Sequence, residues 1–419
     1  MNNKDNILKT YIMNAERRYL GKGRPKNYAE AIKWYRKAAE LGDPTAQFMI
    51  GVMHMNGLGV PKDDREAFKW IRLSAESGLK EAQTNLGMMY FIGQGVAKDE
   101  HEAAKWFRPA AEQGSLQALY NLGVMLADGR VIPQDLPEAV KMFRRAAEKG
   151  LVMARYALGM MLMEGRGTPK DEIEALKWLR LAADQGDAQS QLAIAMAYRQ
   201  GEGVPQDHSL AMKWMKKSAK QGLPEAMVGV GNAFRDALGV PQDDQEAVKW
   251  YRLAAEAEFP QAQFNLGNMF KDGRGVPQDD QEAVKWFTLA VEAGFHPAMV
   301  NLSYMLHTGR GVPKNNRKAA KLCREAAESG LATAQANLGI LYESGRGVPK
   351  DHAEALKWFH LAADQGDALS MFKLAEFYEK GLGAPKDENE AAKWLRLAQE
   401  REDLDKANKD GDYFELKND

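Results

Sequence analysis

The sequence predicts an all-α chain, a solenoid of eleven helix-turn-helix units of 36 residues each. Three observations predict it. A step of 36 residues from Ala31 lands on alanine at every unit, through Ala67 and Ala103 to Ala391. Two residues further on, the same step lands on lysine every time, from Lys33 to Lys393. All nine tryptophans share one register (Trp34, Trp70, Trp106, Trp178, Trp214, Trp250, Trp286, Trp358, Trp394), with Met142 and Leu322 in the two gaps. The register never slips. One continuous array is therefore expected over 1–402, with the first and last units as caps and a polar, acidic tail at 403–419. No single unit can close a core, so stability comes from contacts between neighbours.

The unit at residues 43–78 justifies each element in order. Ala46, Ile50, Met53 and His54 follow helical spacing and mark one face of a first helix, A. Pro44 stands where helix A begins, and Pro224 and Pro260 share its register; a first-turn proline gives up an N–H that has no partner there anyway. Gly57 and Gly59 let the chain leave helix A, and Pro61 stiffens the turn. Asp63 with Glu66 predicts an acidic capping box for a second helix, B. Ala67, Trp70, Ile71, Ser74 and Ala75 form its apolar face, and Gly78 ends it. Small residues at 46, 51 and 67 leave room for close helix approach, and Trp70 is expected to fill the space between them.

Composition excludes several functions. Basic and acidic residues number 57 and 58, so no broad basic field exists for nucleic acid or an anionic membrane. The single cysteine, Cys323, makes neither an internal disulfide nor a thiolate metal cage. The N-terminus lacks the apolar core of a secretory signal, and no run of about 18 apolar residues is present to span a membrane. A soluble, cytoplasmic, monomeric protein without cofactor or metal is expected.

The pattern A-x-A-Q-x-N-L-G-x-M-Y-x-x-G-x-G-V-P-x-D-x-x-x-A-x-K-W-x-x-x-A-A-x-x-G resembles the Sel-one-like repeat, a relative of the tetratricopeptide repeat, over nearly the whole chain. The resemblance implies a right-handed α/α superhelix with helix A lining the concave side. It also implies an adaptor or scaffold in protein complexes, as in bacterial signalling, host interaction or toxin neutralisation.

Several stretches imitate chemistry. Gly345-Arg346-Gly347-Val348-Pro349-Lys350 has the look of a phosphate loop. Its Gly-x-Gly-x-Pro form recurs at eight places, however, and the spacing and strand of a true phosphate loop are missing. The acidic pairs Asp63-Asp64, Asp243-Asp244 and Asp279-Asp280 fall at starts of helix B and are expected to cap. His352 and His360 could share a helix face, but His360 takes a slot usually held by arginine and is expected to face solvent. Ser77 and Lys80 have the Ser-x-x-Lys spacing of β-lactam-recognising enzymes, without the partner motifs of such a site. Residues 403–412 hint at a calcium loop but misplace its ligands. Pro109 inside a helix B is expected to kink or shorten it. Arg36–Glu40, Arg72–Glu76, Arg108–Glu112 and Arg144–Glu148 are expected to pair across one turn on a solvated face.

The remaining face of helix A carries the candidate site. One register reads Asn85, Asn121, Asn265, Asn301 and Asn337. An amide there offers a donor and an acceptor to a bound peptide, as in tetratricopeptide domains, or bonds a neighbouring helix instead. Three residues on, the register reads Val52, Met88, Val124, Met160 and Met196, then Asn232, Asn268, Tyr304, Ile340 and Glu376. The early stretch is thus apolar and adaptable, with Phe91 nearby, and it either docks a partner or packs adjacent helices. The expected function is a non-enzymatic adaptor binding a protein or extended peptide. The alternatives are an immunity or regulatory protein that neutralises a toxin or enzyme and, less favoured, a β-lactamase-like hydrolase.

Overall fold

The structure, a computed structural model, describes residues 3–408 apart from 22 and 24, with side chains from 4 to 402. The chain divides into two compact units, Met1–Gln206 and Asp207–Asp419. The first holds α1 (Asn3–Leu20), α2 (Tyr28–Glu40), α3 (Pro44–Asn56), α4 (Asp64–Glu76), α5 (Lys80–Ile92), α6 (Glu100–Glu112), α7 (Leu116–Asp128), α8 (Leu136–Glu148), α9 (Val152–Glu164), α10 (Glu172–Ala183) and α11 (Ala188–Gln200). The second holds α12 (His208–Ala219), α13 (Pro224–Arg235), α14 (Asp244–Glu256), α15 (Pro260–Asp272), α16 (Asp280–Glu292), α17 (His296–Thr308), α18 (Asn316–Glu328), α19 (Ala332–Ser344), α20 (His352–Ala363), α21 (Ala368–Lys380) and α22 (Glu388–Asn408). Odd-numbered helices are helix A of a repeat and even-numbered ones helix B. Within each unit every helix packs on the next in the chain.

No strand occurs among the described residues, and none of their helices is long and apolar enough to cross a membrane. The expected tail begins as a continuation of α22 to Asn408. Residues 409–419, and the side chains of the calcium-like stretch 403–412, lie outside the described residues.

The ends of the helices follow the chemistry of their caps. Asp43 accepts the Ala46 N–H and Pro44 opens α3. Asp63 accepts the N–H groups of Arg65 and Glu66 at 2.9 and 3.0 Å, and Asp243, Asp279 and Asp351 do the same work on α14, α16 and α20. The expected reciprocal half of the capping box is not formed. The Asp63 N–H donates to the His54 carbonyl at 3.0 Å. With that donor taken, the Glu66 carboxylate turns to Lys69, 2.6 Å away.

The core departs from the expectation for tryptophan. Trp70 is half-buried, and the residue after it, Ile71, is fully buried against Gly51. A Cβ added to Gly51 would come within 2.5 Å of Ile71 Cγ1. The same lock joins Gly87 to Phe107, Gly231 to Tyr251, Gly267 to Phe287 and Gly339 to Phe359. Helix geometry explains the shift: one residue turns the side chain about 100°, enough to move it from the seam between repeats onto helix A of its own pair. In one repeat the glycine register holds Ser303, and the small Cys323 faces it.

A second link was not anticipated. Buried glutamines at one register of helix A reach back to a carbonyl of the preceding helix B, as in Gln83 to Ala75 and Gln335 to Ala327. Each also takes a bond from the far end of its own repeat's helix B, where Gln113 donates to Gln83 at 2.9 Å and Gln365 to Gln335 at 2.8 Å.

The Gly-x-Gly-x-Pro loop is a joint between repeats. A Cβ on Gly275 would sit 2.2 Å from the Asp244 carbonyl oxygen, and one on Gly347 would sit 2.1 Å from that of Asn316. The second glycine is thus the seat on which the preceding helix B begins. Arg274 between the glycines adds two bonds to the Asp244 carboxylate, at 2.9 and 3.1 Å, and Arg310 repeats this on Asp280.

Three further expectations are corrected. α6 keeps its full course, Glu100–Glu112, across Pro109. The proline lies in the last turn, where it forfeits one backbone bond while its own carbonyl still accepts from Gln113. Arg144 leaves Glu148 and binds Glu174 of the next repeat through both of its terminal nitrogens, because that carboxylate offers two oxygens to the guanidinium fork. Of the four pairs expected across one turn, Arg72–Glu76 forms, at 2.8 Å. His360 is half-buried rather than solvent-facing, packed edge-on against Tyr378 and Trp394 with Nε2 3.0 Å from the Tyr378 hydroxyl.

Candidate partner-binding site

In the first unit the site residues lie on α5, α7, α9 and α11. Cores built on Leu86, Leu122 and Leu158 turn the neighbouring positions outward. Asn85 is half-buried and its amide folds back on its own helix, donating to the Glu81 carbonyl at 2.8 Å. Asn121 and Met88 come together, the Asn121 amide lying 3.1 Å from the Met88 sulfur. Gln117 donates to the Asn121 oxygen from one turn earlier. Phe91 is exposed, with the Lys98 ammonium 5.9 Å from its ring centre. Met160 lines a separate hollow of about 240 Å3 with Tyr156, Glu164 and Arg166. Met196 is half-buried on α11. Ile92, beside Phe91, is 57% exposed and Val124 is 41% exposed. Both are apolar and exposed on A helices of the same unit as Phe91.

The second unit builds a deeper feature. Residues of α13, α15, α17 and the start of α19 line a cleft of about 1,100 Å3. Asn265, Asn268 and Asn301 stand in it, and the Asn301 amide donates to Asn268 Oδ1 at 2.7 Å. Phe264, Val300 and Leu331 supply apolar wall. Tyr304 and Asn337 are half-buried, and Tyr304 is hydrogen-bonded to Arg310.

Charge enters the cleft in compensated form. Arg235 grips Asp236 through two nitrogens, at 2.7 and 2.8 Å. Lys271 is almost fully buried with Asp272 3.5 Å away, and Arg274 is held by Asp244. Deep to the wall, burial pushes the Tyr251 phenol up to about 12, so its hydroxyl stays protonated and donates to Asn232 at 2.7 Å. A wall of amides, paired ions and apolar patches suits a polypeptide, which presents backbone donors and acceptors alongside side chains of either kind.

Further along, the helix-A column becomes ionic. Lys373 stands in the asparagine register and bonds Glu343 at 3.0 Å and Glu376 at 3.2 Å. Burial pulls its ammonium down, but the two carboxylates outweigh that and hold it above the usual lysine value.

Sequence reasoning passed over Arg235 and Lys271. Their register reads Met55, Phe91, Ala127 and Met163, then Arg199, Arg235, Lys271, His307, Glu343 and Glu379. The turn from apolar to charged was on view there, as it was at the methionine register. Among the described residues no group of histidine, cysteine and carboxylate side chains could hold a metal ion.

The comparisons with known proteins concern the whole array. A family model for the Sel1 repeat matches eleven consecutive segments, from 15–43 and 44–79 through to 368–402. The chain is similar to c5321 of uropathogenic Escherichia coli, whose crystal structure is described as that of a protective antigen with an SLR fold. The two are 31% identical over 97% of this chain and 91% of that one, with a TM-score of 0.74. It is also similar to a Sel1 repeat protein from Oxalobacter formigenes, 32% identical over 71% of this chain and 87% of that one, with a TM-score of 0.58. A looser match is the immunity protein PA5088 from Pseudomonas aeruginosa, 20% identical over 54% of this chain and 84% of that one, with a TM-score of 0.38; nothing about role follows at that distance. No curated protein matches.

Proposed function

The chain belongs to the Sel1 repeat family, and from that premise we propose that it is a non-catalytic scaffold that binds a partner protein or extended peptide against the outward faces of its A helices. The observation that carries the reading is the cleft of the second unit, where Asn265, Asn268 and Asn301 stand beside apolar wall and paired ions. The exposed apolar side chains Phe91, Ile92 and Val124 on A helices of the first unit support it. A cytoplasmic location and a monomeric state belong to the same proposal.

The test is stoichiometric capture from the native host after gentle cross-linking, repeated with Met88→Glu plus Met160→Glu and with Asn268→Ala plus Asn301→Ala. Each pair should weaken capture by about tenfold or more, as loss of a buried anchor does, with helicity unchanged. Capture unaffected by both pairs places the site elsewhere. Turnover of an ester, amide or β-lactam substrate, abolished by one substitution on these faces, replaces the scaffold with a hydrolase.

A further inference from the structure

We propose that the first unit carries a second docking site, on its helix-B side, for a tryptophan side chain presented by a partner protein. The place is the fourth repeat. Nine repeats carry tryptophan in helix B, and the fourth carries Met142 in that register. Beside Met142 lies an open cavity of about 530 Å3. Cavities of about 300–1,000 Å3 accommodate small ligands and anchoring side chains. Its apolar surface comes from Leu122 and Leu126 of α7 with Met142 of α8, and Glu138 and Arg145 of α8 stand on its polar side. The other tryptophan gap is different, since Leu322 is itself buried.

The repeat supplies the template for the guest. One period further on, Leu122, Glu138 and Met142 become Leu158, Glu174 and Trp178. There the Trp178 indole N–H donates to Glu174 Oε1 at 3.1 Å. One period earlier, Trp106 packs against the cluster containing Leu86, the counterpart of Leu122. The fourth repeat thus presents the apolar seat and the carboxylate acceptor of an indole site without the indole.

Glu138 already pairs with Lys141 at 3.0 Å, but a carboxylate accepts several bonds and keeps capacity for another N–H. Arg145 occupies a register where the flanking repeats carry Pro109 and Leu181. Its guanidinium is tied to the Ala111 carbonyl at 3.3 Å, which holds a cation at the cavity where the face of an aromatic guest attracts it. Tryptophan is rigid and amphipathic, the side chain that most often anchors an interface through a pocket of this kind.

The experiment titrates N-acetyl-tryptophanamide into the full chain and its variants, read by calorimetry and saturation-transfer NMR. Saturable binding to the parent protein is expected. It should fall at least about tenfold in Met142→Trp, which puts the missing indole back, and stay unchanged in Leu253→Ser, at an exposed position on a B helix of the second unit. Glu138→Gln should weaken N-acetyl-tryptophanamide more than N-acetyl-phenylalaninamide, which has no indole N–H. Should circular dichroism show Met142→Trp misfolded, Met142→Phe provides the plug and must give the same direction of loss. Equal binding to the parent and the plugged variant, or no saturable binding to the parent, overturns the proposal.

Discussion

His307 shows how a single substitution in a repeat register acquires physical consequences. Its side chain is nearly buried, with Nδ1 3.0 Å from Asn316 Oδ1 and Nε2 3.4 Å from an Arg346 nitrogen. Arginine only donates, so Nε2 must accept and Nδ1–H must donate, which is a neutral imidazole. Burial first, and the Arg346 charge second, hold its pKa below the ordinary value of 6.5. In the unfolded chain the group recovers about 6.5. Below that pH the unfolded state takes up a proton that the folded state refuses. Stability is therefore fully present above about 6.5 and declines as the pH falls toward the folded pKa. His360, also lowered mainly by burial, acts in the same direction. Replacing His307 with Gln should make the loss of stability between about pH 7 and 5 shallower in chemical denaturation; an unchanged slope contradicts the assignment. Neither histidine could be placed from sequence. Each takes an ordinary register slot, and its environment is made by the next repeat, through Arg346 for one and Tyr378 and Trp394 for the other.

At the scale of elements, the helix pair is held by a lock between a small residue of helix A and a buried side chain of helix B. Gly267 leaves no room for a Cβ, which would come within 2.6 Å of the Phe287 ring. Ser303 fits its helix because the opposing residue is Cys323, and the serine hydroxyl bonds the Ala319 carbonyl at 2.8 Å. Gly267→Ser should cost about 1–3 kcal/mol by overpacking. Adding Phe287→Cys should recover part of the summed loss, with a coupling of about 0.5–3 kcal/mol in a double-mutant cycle; strict additivity contradicts the lock. Helix boundaries, caps and joints were legible because aspartate, proline and glycine act locally and stand at fixed offsets. The lock was half legible. The glycine was noticed, but its partner column runs Tyr35, Ile71, Phe107, Phe143, Leu179, Met215, Tyr251, Phe287, Cys323, Phe359 and Leu395, too mixed to stand out beside a register that holds tryptophan in nine of the eleven repeats. The Arg144–Glu174 pair was missed for a related reason: on a helix surface an arginine can choose a partner in its own helix or in the next repeat, and spacing along the chain reveals only the first.

At the scale of the molecule, the shared residues build the repeats and the differing ones distinguish the two units. The A-helix columns of the first unit present methionine, valine, phenylalanine and isoleucine, while those of the second present asparagine, arginine, lysine and aspartate around a cleft. The asparagine and methionine registers were readable from a strict period alone. Which of their members stand together was not, because the cleft depends on the packing of four successive A helices and on side chains that bond each other, as Asn301 does Asn268. The central claim is that the outward faces of the A helices bind a polypeptide. Its most direct test places a photo-crosslinking residue at Val124 or Thr333 on A helices, and at the exposed Leu253 or Leu361 on B helices, in the chain expressed in its native host. Covalent capture of one defined partner from Val124 or Thr333, and none from Leu253 or Leu361, is the predicted result. Capture from the B-helix positions alone would contradict the account.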